Sequence, residues 1–73
     1  MNQNIFEEIA QSHERAAKEL ELAVQHLRTT AQHYRNAEIP RACAHALAGF
    51  GHIRQAQNLL DELSILHASK SRP

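Results

Sequence analysis

The sequence is poor in everything that breaks, staples or hides a chain. Among 73 residues it has one cysteine (Cys43), two glycines, two prolines, three aromatic residues and no tryptophan. A single thiol makes no internal disulfide, which excludes the small disulfide-framework class and suits a reducing compartment. The glycines sit at 49 and 51 and the prolines at 40 and 73, so most of the chain lacks turn or strand punctuation. No apolar run approaches the ~20 residues that span a bilayer. The first ten residues, MNQNIFEEIA, are acidic where a secretory leader is basic. A cytoplasmic protein without a membrane segment is therefore expected. Eight basic and eight acidic residues cancel, so global charge gives no argument for nucleic acid or anionic lipid, and nucleic acid is not the expected partner.

The motifs of familiar chemistries are missing as well. There is no Glu-x-x-His, which removes the di-iron pattern of ferritin-like bundles, and no Cys-x-x-Cys, phosphate loop or nucleophile elbow. Cys43 and His45 are two apart, a spacing that turns them to different sides of a helix. No catalytic residue is assigned, and no enzyme is expected. A chain this short buries only about 60% of its unfolded surface even when globular, so something beyond one copy must complete its core.

What is present is helix. The punctuation before the tail is Asn36-Ala37-Glu38-Ile39-Pro40, flanked by alanine-rich sequence. The expected fold is all-α: helix 1 over about 4–35, a turn at 36–39, helix 2 over about 40–68 and a frayed tail at 69–73. Asn4 can cap helix 1, with Glu7 three residues on closing a capping box. Pro40 suits the first turn of helix 2, where its missing N–H has no partner to lose. Residues Ile9, His13, Ala16, Leu20, Ala23, Leu27, Thr30 and Tyr34 alternate spacings of four and three. Ile39, Ala42, Ala46, Gly49, Ile53, Ala56, Leu60, Leu63 and His67 do the same. Each series reads as a coiled-coil seam with small residues at alternate positions. Folding back about the turn sets Leu27 against Gly49 and Leu20 against Ala56. Gly49 then has close approach to offset its helix cost of about 1 kcal/mol, and Gly51 suggests a tight contact with another chain.

One hairpin leaves apolar residues over: Ala17, Val24 and Ala31 on helix 1, with Cys43, Phe50, Leu59 and Leu66 on helix 2. Two antiparallel helices that dimerise into a four-helix bundle would cover them, with Val24, Ala31, Phe50, Leu59 and Leu66 as interface candidates. Residues 22–54 hold four basic groups and one acidic, and the remainder four basic and seven acidic. That imbalance favours a homodimer with its turns at opposite ends, each positive half beside a negative one.

Histidine is the one chemically active residue present in number, with six in the chain. His26 and His33 are seven apart, as are His45 and His52. Fold-back pairs His33 with His45 and His26 with His52: two separate cross-helix pairs. Each pair supplies two nitrogens, short of the four ligands of a structural zinc site or the three of a catalytic one. Two readings follow. The imidazoles are polar edges of the bundle, or they are metal ligands for Zn²⁺, Ni²⁺ or Cu²⁺ completed by other groups; no other cofactor is expected. His13 and His67 fall in the seam near the open end and are expected partly buried. Arg28, Arg35, Arg41 and Arg54 enrich the turn half in cation without interleaved aromatic platforms, so a solvated face is the plainer reading and RNA contact the minor one. Tyr34 and Phe50 are expected to pack in the core.

From Glu14 to Ile53 the run ERAAKELELAVQHLRTTAQHYRNAEIPRACAHALAGFGHI resembles a group of small, histidine-rich, alanine-rich bacterial helical-hairpin proteins of unassigned function. The matching positions are Ala16, Ala17, His26, Ala31, His33, Tyr34, Ala42, His45, Gly51 and His52. The resemblance implies helices bearing repeated histidine pairs. The chain departs from it at Leu27, Leu47, Phe50 and Ile53, where further imidazoles would fit. A tetratricopeptide unit, suggested by Tyr34 and Pro40, does not fit a 30-residue helix. The functions carried forward are a self-associating interaction or scaffold module, a transition-metal binder and a Rop-type RNA-binding hairpin dimer.

Overall fold

A computed structural model of the chain describes residues 3–70. They form two helices, α1 (Gln3–Arg35, 33 residues) and α2 (Ile39–Lys70, 32 residues), packed against each other as an antiparallel hairpin. Asn4 lies within the first turn of α1 and not at its cap. Glu7 accepts a bond from Gln11 Nε2 at 3.1 Å, so the expected capping box does not form. At the other end α2 runs through Ser69, whose hydroxyl donates to the Leu66 carbonyl at 2.7 Å. Residues 69 and 70, expected in a frayed tail, are therefore helical, and 71–73 lie outside the described residues.

The turn is short because its hydrogen bonds are complete. The Glu38 N–H donates to the His33 carbonyl at 2.8 Å and the Ala37 N–H to the Tyr34 carbonyl at 3.0 Å, the bond pair of a Schellman cap. Glu38 then accepts from the Ala42 N–H at 3.0 Å and opens α2, with Pro40 in the first turn. The cap needs a left-handed residue, and Ala37 fills that place at φ 57°. An alanine there costs about 1–2 kcal/mol that glycine does not. Ala37→Gly is expected to stabilise the hairpin by about 1 kcal/mol, read as a higher urea midpoint at unchanged m-value.

Small residues make the seam. Ala16 and Ala23 on α1 and Ala42 and Ala56 on α2 are at most 3% exposed, Thr30 is 9% exposed, and Gly49 is buried. Seven-residue spacing puts each set on one line, so the helices approach along an alanine-glycine-threonine strip. A Cβ built on Gly49 would meet Leu27 Cδ2 and the His26 Cβ at 3.4 Å, which confirms the Leu27 to Gly49 approach and shows that alanine would also fit. Thr30 satisfies its hydroxyl on the His26 carbonyl at 2.8 Å. Gly51 is exposed, and a Cβ there would meet nothing within 4 Å.

The expected seam is corrected in its large members. Leu20, Leu27, Tyr34, Ile39 and Leu60 are 39–49% exposed, and His13 and His67 are exposed instead of partly buried. The cause is a rotation about each helix axis. Centring the contact on the alanines brings Glu19, His26 and His33 into one flank of the groove as much as Leu20 and Leu27 into the other. The result is a slab with two unlike faces. One carries His26, His33, His45 and His52. The other carries Phe6, Leu20, Val24, Leu27 and Tyr34 from α1, beside Ile39, Phe50, Ile53 and Leu60 from α2. The contact between Tyr34 Oη and Cys43 Sγ at 3.7 Å lies on this second face. That bond, ahead of the thiol's charge and burial, holds the Tyr34 phenol above its ordinary value. Tyr34 and Phe50 are 49% and 56% exposed, so neither packs in the core of a single copy. The slab measures 54 × 24 × 12 Å, one helix thick. Among the described residues no helix is long and apolar enough to cross a membrane.

Candidate functional site

The histidine face is built from two heptad rows. On α1 the row is Glu19, His26, His33, and on α2 it is His45, His52. Residues seven apart on one helix rise about 10 Å. A ring from the facing helix fits midway between two such residues. The rings interleave: the centroids of His33 and His45 are 5.3 Å apart, those of His45 and His26 5.3 Å, and those of His26 and His52 5.4 Å. The outer two contacts are stacked, with interplanar angles of 22° and 16°, and the middle one is tilted by 35°.

Sequence arithmetic with a single fold-back sum finds the two stacked pairs and misses the middle contact. His26 Nδ1 lies 3.0 Å from His45 Nδ1, so the two pairs join into one ladder. The expectation of two separate pairs is corrected on this point. Glutamates close both ends: His33 Nδ1 lies 3.0 Å from Glu38 Oε1, and His52 Nδ1 lies 2.7 Å from Glu19 Oε1. The order along the groove is Glu38, His33, His45, His26, His52, Glu19. Glu19 was legible in advance, as the next member of the series 33, 26, 19.

The protons follow from the partners. An ionised carboxylate only accepts, so His33 and His52 each carry their proton on Nδ1 and donate it outward. At the centre one Nδ1 donates and the other accepts. Both cannot hold a proton there at 3.0 Å. These side chains are partly withdrawn from water, His33 and His52 at 19% and 29% exposure and Glu19 at 26%. Among the described residues no buried side-chain nitrogen or oxygen lacks a partner.

Glu38 anchors the turn end twice, through His33 and through Arg41 Nη1 at 3.3 Å. Its carboxyl is held below the ordinary value, first by the His33 hydrogen bond and then by the charges of His33 and Arg41 and a bond from Asn36, against an opposing desolvation. A carboxyl depressed in the folded state contributes stability above its unfolded value of about 4.3 and loses it as pH falls through the folded value. Glu38→Gln is expected to lower the neutral plateau and flatten the acid limb, so that its urea midpoints, measured from pH 3 to 7, converge on those of the wild type at the acid end.

The interface candidates fall on both faces. Val24 and Phe50, at 44% and 56% exposure, lie with Ala31 on the apolar face. Leu59 and Leu66 continue the row of His45 and His52 on the histidine face, beyond the ladder and toward the open end. Among the described residues no group of three or more His, Cys, Asp or Glu is placed to hold a metal ion. Arg28, Arg35, Arg41 and Arg54 are exposed. Comparison of the chain with protein-family models, with curated proteins and with solved structures gave no match.

Proposed function

We propose that the hairpin is a non-catalytic, self-associating module: two copies close their apolar faces on each other as an antiparallel four-helix bundle. The observation that carries this reading is surface in excess. The chain exposes 5888 Å² at 8.3 kDa, where a folded monomer of that mass exposes about 4,600 Å². The difference, about 1,300 Å² per copy, exceeds the ~800 Å² that each partner contributes to a standard interface. Its radius of gyration, 16.8 Å, is likewise above the ~11 Å of a compact chain this long. The large apolar side chains left exposed lie mostly on one face, which supports a flat partner of the same length, and a second copy is such a partner. A short turn joining two rods supports the scaffold reading.

Charge chooses the direction. With turns at opposite ends, the half rich in Arg28, Arg35, Arg41 and Arg54 lies on the half rich in Glu7, Glu8, Glu14, Glu19, Glu21, Asp61 and Glu62. Cys43 is exposed and is the chain's single cysteine, so one spin label reports the arrangement. From the rise of 1.5 Å per residue, opposed turns separate the two labels by roughly 35 Å along the bundle, and adjacent turns bring them within about 20 Å. A dipolar distance in the shorter range would refute the antiparallel arrangement.

A further inference from the structure

We propose that His26 and His45 form, through their Nδ1 atoms, a two-nitrogen site for a divalent first-row transition ion, with Cu²⁺ bound in preference to Zn²⁺ or Ni²⁺. The site goes beyond self-association. It lies on the face opposite Leu27 and Phe50, so it stands whether or not two copies pair.

Bonds of ~2.0–2.1 Å place two ligand nitrogens about 2.9 Å apart across a square-planar edge and about 3.3 Å apart across a tetrahedral one. The observed separation is 3.0 Å, between these values and nearer the square-planar edge that Cu²⁺ prefers. An ion would sit off the line joining the nitrogens, which requires each ring to turn about its Cβ–Cγ bond, a soft torsion. The two stacked contacts cannot do this, since they oppose ring faces. The diagonal pair that joins them is the chelating one.

The surroundings fit an ion at the centre of the ladder and not at its ends. His33 and His52 have their Nδ1 protons committed to Glu38 and Glu19. Those two carboxylates flank a row of imidazoles, and among the described lysines and arginines only Arg41 bonds to either of them, which favours an incoming positive charge. In the empty state one proton lies between the two central nitrogens. On binding, that proton moves through water to Nε2 of the same ring, so both rings remain neutral and both Nδ1 lone pairs reach the ion. Water fills the remaining positions, and two protein ligands imply modest affinity.

Titration of the full chain with CuCl₂ in a non-coordinating buffer, followed by calorimetry, tests the site. Removing one of two nitrogens by His26→Ala or His45→Ala is expected to weaken binding by at least about tenfold, the lower end of the cost of losing even a supporting group. His33→Ala and His52→Ala should each change it less than about threefold, and His13→Ala not at all. The wild-type protein gives a second reading that needs no variant: Cu²⁺ at substoichiometric levels should broaden the imidazole NMR signals of His26 and His45 before those of the other four histidines. Equal losses in all four ladder variants, unchanged binding in His26→Ala, first broadening at His13 or His67, or no binding by the wild type would each overturn the proposal.

Discussion

Leu27→Glu is expected to weaken self-association by more than 100-fold while leaving each hairpin helical. Leu27 is 39% exposed in one copy, so in a lone hairpin the substitution loses only part of a leucine's burial and places a carboxylate where water reaches it. In the proposed bundle the same position would be covered by the partner, and two-fold symmetry would bury two carboxylates. An uncompensated buried charge costs about 3–5 kcal/mol, and 3 kcal/mol alone is about 150-fold in an equilibrium constant. Sedimentation velocity across a concentration series reads the shift, and circular dichroism at high concentration reads the helix content. Unchanged sedimentation would mean that the apolar face stays in water and that the copies, if they meet, meet elsewhere.

Ala23→Leu is expected to destabilise the fold by about 3 kcal/mol, the upper part of the usual range for overpacking. Ala23 is 2% exposed and faces a row of Ala42, Gly49 and Ala56, each also buried. Three added carbons must enter a contact line of buried alanines and Gly49, so the helices must move apart. That separation also pulls the imidazole rings out of register, since their centroid spacings of 5.3–5.4 Å depend on the same approach. A domain of this size holds roughly 4–11 kcal/mol in all, so the loss is a large fraction and lowers the urea midpoint accordingly. A change under about 0.5 kcal/mol would contradict a seam built on close contact.

The hairpin was legible because its signals are local and agree. Pro40, the turn letters around Asn36 and the small residues repeating every seven positions all point to two rods meeting along an alanine line. The rotation of those rods was not legible. Ala16, Ala23 and Thr30 define the contact line, but either Leu20 and Leu27 or Glu19 and His26 can flank it, and hydrophobicity alone selects the leucines. In the structure the alanines sit at the centre and both flanks share the groove, which leaves the leucines half in water. The same rotation explains the ladder. One fold-back sum gives each ring a single partner, whereas a ring seated midway between two residues of the facing helix, about 5 Å along the axis from each, also has a second. His26 with His45 and His52 with Glu19 are contacts of that second kind. Ala37 in the left-handed region was hidden for another reason: the Schellman cap usually advertises itself with glycine, and here alanine bears the strain.

The central claim is that one copy of this hairpin is half of a folded unit, and sedimentation equilibrium on the wild-type chain at micromolar concentration tests it most directly. The expected mass is twice 8.3 kDa, falling toward the single-copy value only on strong dilution. A single-copy mass that persists into the high micromolar range with full helix content would contradict it.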